Sequence, residues 1–246
     1  AGSGNVSLKA GDDVLDVNQD TKPNVVAESL SIVAGGQIGE SNVLDPRFAS
    51  SNVNAIDTFV ATLAGTSTEG IYLQEENSVE VTEVAEVMVD VLVASVDFDL
   101  RVSDWLVSNE LSELEDLQTI GDGPIKLVAE AGTITVDGGG DAAFGIRGGS
   151  DILLAARGTG HDVVVNGHVE SRSGHVSLTA VDDIDLNATL TTGNDGTVYV
   201  RAENDTVDAV GPKVDGINLD GAITTASGDV LIDSAAKLRQ SSSITS

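Results

Sequence analysis

Short runs in which every second residue is aliphatic recur along the whole chain. In residues 174–180, for example, Val176, Leu178 and Ala180 alternate with polar residues, and a polar turn and a second alternating stretch follow. Successive side chains of a β-strand point to opposite faces, so each run predicts a strand with one aliphatic face and one polar face.

The runs are copies of one template, which consists of a glycine, alternating aliphatics, a small residue, a polar turn and a second short run. The copies begin at Gly4, Gly70, Gly123, Gly174, Gly196 and Gly228, with a looser copy through Ile152. A single copy cannot bury its aliphatic face, whereas stacked copies bury a continuous column.

The spacing of the first aliphatic residue in each copy sets the length of one coil. Ile125, Ile152, Val176 and Val198 are separated by 27, 24 and 22 residues, and the 32 residues from Val198 to Val230 fit one coil with an insertion. The 65 residues between the first aliphatics of the copies at Gly4 and Gly70 fit three coils.

We therefore expect an all-β fold, a right-handed parallel β-helix (solenoid) of about ten coils. Residues 1–246 are predicted to form a single β-helix domain, a segment of a longer rod or fibre. A β-sandwich also has short strands separated by turns and remains the alternative. The tandem similarity of the copies favours the β-helix.

Residues 84–120 depart from the template and are expected to form an irregular insertion. The stretch from Val84 to Val102 is rich in valine and can contribute further strands. Leu111, Leu114 and Leu117 recur every third residue, which predicts a loop or short helix near 103–117. Trp105 is the only tryptophan, and we expect it to cover an apolar patch of this insertion; contact with a partner is the alternative.

Composition excludes several classes of function. The chain has 40 acidic and 12 basic residues and a formal net charge of −28, which disfavours nucleic acid and anionic membrane surfaces. It contains no cysteine, so a disulfide, a thiolate nucleophile and a Cys-based zinc site are excluded. No apolar run approaches the ~20 residues of a membrane-spanning helix, and no membrane insertion is expected.

The acidic pairs Asp12-Asp13 and Asp182-Asp183 occupy the same template position. A turn in which aspartate bonds its own backbone explains every copy, whereas an active site needs only one. The nearest thing to a basic cluster is the set Arg147, Arg157 and Arg172. We therefore predict that the chain is not an enzyme, with no catalytic residue and no required cofactor.

Calcium is the metal that suits the acidic turns, because it prefers carboxylate and carbonyl oxygens. The candidate ligands are Asp137, Asp141, Asp182, Asp183 and Asp195. A site formed by His161, His168 and His175, which are seven residues apart, is a weaker alternative because strands and turns do not place that spacing on one face.

Four successive segments carry a family resemblance. Residues 29–39 are followed by 42–46, 56–64 and 69–73. This succession resembles the haemagglutinin-type repeats of very large bacterial exoproteins, the filamentous-haemagglutinin-like adhesins, and residues 179–193 are similar to them too. Departures are the order Leu44-Asp45-Pro46, where Pro-Leu is usual, and the insertion rich in Leu and Glu.

The resemblance implies an extracellular or cell-surface location and a structural or adhesive role. The expected partners are further coils of the same chain or identical subunits stacked end to end, because open β-helix ends pair with more strands. A cell-surface or glycan ligand is also expected. The alternatives are a secreted β-helical polysaccharide lyase or hydrolase and a calcium-dependent glycan-binding module.

Overall fold

All regular elements of the described residues are β-strands. The computed structural model describes residues 4–18, 20, 22–41, 54–85, 87–96, 102–111, 114–139, 144–203 and 214–246, with the backbone alone for 87–96 and 102–111. Within these residues no helix is long and apolar enough to cross a membrane.

The strands follow one another closely along the chain. The first eight are β1 (Asn5–Ala10), β2 (Val25–Val26), β3 (Ser29–Ala34), β4 (Gln37–Ile38), β5 (Ile56–Phe59), β6 (Thr62–Ser67), β7 (Gly70–Glu75) and β8 (Val79–Val81). Two long strands come next, β9 (Val87–Val96) and β10 (Val102–Leu111). The remaining ones are β11 (Leu117–Thr119), β12 (Ile125–Ala129), β13 (Ile134–Val136), β14 (Ile146–Gly148), β15 (Ile152–Ala156), β16 (Val163–Val165), β17 (Val169–Ser171), β18 (Val176–Ala180), β19 (Ile184–Leu186), β20 (Leu190–Thr192), β21 (Val198–Ala202), β22 (Gly216–Leu219), β23 (Ile223–Thr225), β24 (Val230–Ser234), β25 (Lys237–Gln240) and β26 (Ile244–Thr245).

From β11 onward the strands repeat in threes, and each strand pairs in parallel with its counterpart in the next coil. Row 1 contains β11, β14, β17, β20, β23 and β26; row 2 contains β12, β15, β18, β21 and β24; row 3 contains β13, β16, β19, β22 and β25. Row 1 continues through β6 and β3 to β1, so nine parallel strands stack in this row among the described residues. Row 2 continues from β12 to β7. The molecule is thus a solenoid-like array of parallel strands.

The spacing of the template copies predicted the register of row 2. Ile125, Ile152, Val176, Val198 and Val230 are successive register partners, as the sequence predicts. All ladders of the described strands are parallel except the β9–β10 pair, which rules out the β-sandwich.

The interpretation of Val6 to Ile71 as three coils in one column is wrong. Val6 pairs with Leu30 in row 1, whereas Ile71 pairs with Ile125 in row 2. Both rows use the same alternation of aliphatic and polar residues, so spacing alone does not distinguish them.

Aliphatic side chains fill the interior in columns that run from coil to coil. Leu73, Leu127, Leu154, Leu178 and Val200 form one such column in row 2, and each is at most 1% exposed. Burial of one side chain of this kind contributes roughly 1.5–3 kcal/mol. The columns therefore supply most of the stabilisation that a single coil lacks.

The helix expected near 103–117 is wrong. β10 pairs with β9 in a ten-residue antiparallel ladder from Val102–Val96 to Leu111–Val87. Below it, Val84 and Leu114 exchange backbone hydrogen bonds of 2.9 and 3.2 Å and pack with Ala64. The preference of the valine-rich partner segment for a strand outweighs the helical spacing of the leucines. The Trp105 side chain lies outside the described atoms.

The leading glycine of the template lies where the backbones of adjacent coils touch. Gly174, Gly196 and Gly228 precede successive strands of row 2. A Cβ at Gly196 would lie 2.1 Å from the Gly174 carbonyl oxygen, and one at Gly228 would lie 2.0 Å from the Gly196 carbonyl oxygen. Any other residue there forces neighbouring coils apart.

Gly196→Ala is therefore expected to lower the free energy of unfolding by about 1–3 kcal/mol, as overpacking does elsewhere. Gly11→Ala is the matched control, since a Cβ at Gly11 meets nothing within 4 Å, and it is expected to be neutral or slightly stabilising. Urea denaturation of the two variants checks this. Equal stabilities would contradict the close contact between coils.

Candidate functional site

The acidic turns connect neighbouring coils. Asp13 Oδ1 accepts a hydrogen bond from the Gln37 backbone N–H at 2.9 Å, and Asp183 Oδ1 accepts one from the Gly216 N–H. Each donor belongs to the next coil, not to the turn of the aspartate itself. Asp13 and Asp183 thus hold one coil against the next, and the expectation that the acidic pairs bond their own backbone stays a prediction.

The residues predicted to bind calcium lie at different connections. Asp137 follows row 3, Asp182 and Asp183 follow row 2, and Asp195 follows row 1. Asp182 is fully buried, and Asp195 Oδ1 accepts a hydrogen bond from Ser227 Oγ at 2.7 Å. Asp141 lies outside the described residues. In the described part of the chain, no three His, Asp or Glu side chains form a ready-made metal cluster.

The three histidines lie at three successive connections of one coil. His161 joins β15 to β16, His168 joins β16 to β17, and His175 joins β17 to β18. His168 stacks on Phe144 with 4.8 Å between ring centroids, and its Nε2 lies 2.9 Å from Thr191 Oγ1. The structure does not bring the imidazoles together.

The three arginines do not form a cluster either, because each binds a different partner. Arg147 Nε lies 2.8 Å from Glu170 Oε2, and Arg157 Nη1 lies 2.9 Å from Glu130 Oε1. Arg172 donates to backbone carbonyl oxygens of 119–121, with 2.7 Å to that of Thr119. Like the acidic turns, these side chains join coils.

The structure reveals buried carboxyl groups that the sequence interpretation missed, among them Glu75 and Asp57. Glu75 occupies the inward position that Ala129, Ala156 and Ala180 take in the coils above it, and it is fully buried. A glutamate at the small-residue position of the template is the signal that could have identified it.

Hydrogen bonds satisfy the Glu75 carboxyl group. Its Oε2 accepts from Thr58 Oγ1 at 2.6 Å, and its Oε1 accepts from the backbone N–H groups of Val60, Glu76 and Asn77 at 3.1–3.3 Å. Burial raises the pKa of Glu75 from 4.5 to about 7, although these hydrogen bonds lower it. This saturated group has a structural role inside the core.

Asp57 differs from Glu75, because one of its oxygens is unsatisfied. The residue is 3% exposed, and its buried Oδ2 has no hydrogen-bond partner among the described residues. Burial and then the charges of Asp16 and Asp20 raise the pKa of Asp57 from 3.8 to about 7. Asp57 pairs in register with Gln74 and not with Glu75, so the two acids lie on opposite faces of their strands and do not form a catalytic pair.

The surface features relevant to function are thus the acidic turns and the outward-facing side chains between coils, whereas Asp57 is a buried group. Comparison with family models, with curated proteins and with solved structures gave no match.

Proposed function

We propose that the chain forms a right-handed parallel β-helix that serves as a structural or adhesive rod segment of a secreted or cell-surface protein. Its role is attachment, spacing or assembly, and it does not require a cofactor. It acts through its shape and surface, not through catalysis.

The observation that carries this proposal is the continuous stacking of nine strands in row 1. At ~4.8 Å between neighbouring strands, this row extends about 40 Å along the axis. The polar side chains with enzymatic potential, including Asp13, Asp183 and Arg172, are engaged in contacts between coils. The net charge of −28 keeps such a rod in solution. The resemblance to adhesin repeats agrees with this role.

The two outermost levels of the described column favour end-to-end stacking. Val6 and Leu8 at one end, and Val230 and Ile232 at the other, are only partly buried although they pack against the core. In the described residues, β1 pairs only with β3 and β24 only with β21, so each has a free backbone edge. Such edges pair readily with further strands. Further coils of the same chain or identical subunits fit them.

Sedimentation velocity of the 246-residue chain tests the stacking. The sedimentation coefficient is expected to rise with concentration, and Ile232→Lys is expected to abolish the rise because it places a charge on the exposed end of the column. The matched control is Leu231→Lys, whose side chain is 59% exposed and points away from the core; it should associate as the wild type does. A wild type that stays monomeric over the whole concentration range would overturn the stacking of identical subunits.

Catalysis is tested separately by incubating the chain with acidic polysaccharides. We expect no new reducing ends and no unsaturated uronates. The appearance of either product, together with its loss on substitution of an outward acidic residue, would replace the rod by a polysaccharide lyase or hydrolase.

A further inference from the structure

A polar segment, of which residues 16–18, 20 and 22–24 are described, leads into β2 next to β5. Asn24, the residue before β2, makes two hydrogen bonds of 2.7 Å with the backbone of Asp57. The Asn24 N–H donates to the Asp57 carbonyl oxygen, and the Asn24 Oδ1 accepts from the Asp57 N–H. Ile56 and Thr58, the neighbours of Asp57, face the core. The Asp57 side chain therefore starts on the outer face, and it is only 3% exposed.

Two carboxylate oxygens, one in this loop and one on β5, are buried without a hydrogen-bond donor. Asp57 Oδ2 and Asp16 Oδ2 have no hydrogen-bond partner among the described residues. Asp16 and Asp20 are the acidic groups with the strongest electrostatic effect on Asp57. Buried carboxylate oxygens that lack a donor are unfavourable, so a positive charge placed between them would be stabilising.

Amide groups already hold further side-chain oxygens of the loop near one another. Asn24 Nδ2 lies 3.2 Å from Asp16 Oδ1 and 3.4 Å from Asn18 Oδ1, and Asn18 Nδ2 lies 3.3 Å from Asp20 Oδ1. Hydrogen bonds thus link the carboxylates of Asp16 and Asp20 with the amides of Asn18 and Asn24, and Asn24 joins this set to the Asp57 backbone. The three carboxylates by themselves are not a ready-made cluster among the described residues.

The spacing of these residues is that of a calcium loop. Asp16, Asn18 and Asp20 follow the pattern in which alternate residues of a short loop supply side-chain oxygens. The loop departs from the full pattern, because Thr21 stands at the glycine position and Ala27 at the position of the final glutamate. Asp57 from the neighbouring strand brings the carboxylate that the loop itself lacks.

We propose that Asp16, Asn18, Asp20 and Asp57 bind one calcium ion, with Asn24 as the residue that positions the loop against β5. This site is distinct from the acidic turns at 137–195, and it does not depend on the role of the rod. Calcium suits the set better than magnesium, because it accepts mixed carboxylate and amide oxygens in irregular geometry. The ion ties the loop to the second level of the solenoid.

Isothermal titration calorimetry of the 246-residue chain with CaCl₂ tests the site. One ion per chain is expected to bind, with a Kd on the order of 10⁻⁴ to 10⁻³ M, as in extracellular calcium modules. Asp57→Asn and Asp16→Asn should each weaken this binding by about tenfold or more. Asp229→Asn is the matched control; it changes an exposed aspartate that belongs to neither predicted calcium site, and binding should be unchanged. Circular dichroism in chelator verifies that each variant is folded.

Thermal unfolding provides a second readout. Calcium should raise the midpoint of the wild type and of Asp229→Asn, and the rise should disappear in Asp57→Asn and Asp16→Asn. Equal affinity for MgCl₂ would overturn the assignment to calcium. Weak binding of several ions, unaffected by any of the three substitutions, would show that calcium is only a counter-ion of the acidic surface and would overturn the site.

Discussion

Replacing Leu178 by alanine is expected to lower the free energy of unfolding by about 2–5 kcal/mol, the range for large-to-small substitutions in a packed core. Leu178 is fully buried and lies in one column between Leu154 in the coil below and Val200 in the coil above. The substitution leaves a cavity between two coils, so both neighbours lose packing contacts.

Leu231→Ala is the matched control for Leu178→Ala. Leu231 is the same residue type in the same row, but its side chain faces outward and is 59% exposed. We expect its substitution to change the free energy of unfolding by no more than about 0.5 kcal/mol. Urea denaturation followed by circular dichroism measures both. Similar losses in the two variants would mean that the alternation does not separate core from surface.

Stability is expected to fall as the pH rises from about 4.5 to 7, with Glu75 as a main cause. The folded state raises the pKa of Glu75 from 4.5 to about 7, so it holds this proton more tightly than the unfolded chain does. The stabilisation is therefore complete below the unfolded value and is lost as the pH rises through the folded value. The full difference amounts to about 3 kcal/mol.

Glu75→Gln is expected to reduce this dependence to the part that Asp57 contributes, since the pKa of Asp57 is also raised to about 7. The Oε1 of the new amide can accept hydrogen bonds from the same three backbone N–H groups. Its Nε2 can donate to Thr58 Oγ1. The Thr58 hydroxyl then donates to the Gln74 carbonyl oxygen, which is 3.4 Å away. Urea unfolding between pH 5 and pH 8, in chelator, measures the slopes. The control is Glu69→Gln, an exposed residue, which should keep the wild-type slope. If the profiles of Glu75→Gln and the wild type run in parallel, Glu75 does not retain its proton in the folded state.

The sequence contains enough information to predict the strands and much of their stacking. The spacings among Ile125, Ile152, Val176 and Val198 identify register partners in row 2 because each coil there has a similar length. The valine-rich stretch before Val102 was correctly expected to include a strand.

The assignment of strands to rows could not be predicted in the same way. All three rows bury every second side chain, so the copy at Gly4 has the same pattern whether it lies in row 1 or row 2. The helix expected near 103–117 failed for a related reason. The spacing of three leucines contains no information about a partner strand. The pairing of β10 with residues 87–96 determines the structure of this segment.

The buried carboxyl groups were beyond prediction from pattern alone. Asp57 occupies an outward position, which is normally solvated, and its burial depends on a loop that arrives from more than thirty positions earlier in the chain. The calcium ligands predicted at the acidic turns lie at separate connections, because residues spaced by part of a coil fall on different sides of the column. The calcium prediction at those turns therefore stays a prediction.

The central claim, that successive template copies stack directly on one another, is tested most directly by disulfide trapping. The chain has no cysteine, so an introduced pair holds the only thiols. Ser177 and Tyr199 are outward-facing register partners in adjacent coils, and parallel neighbours lie ~4.8 Å apart, within reach of a disulfide. Ser177 and Leu231 are two coils apart, at about 10 Å, which is beyond that reach. We predict that the Ser177→Cys/Tyr199→Cys pair forms a disulfide rapidly on oxidation and that the folded Ser177→Cys/Leu231→Cys monomer forms none. The opposite preference, or no disulfide in either variant, would contradict the stacked solenoid.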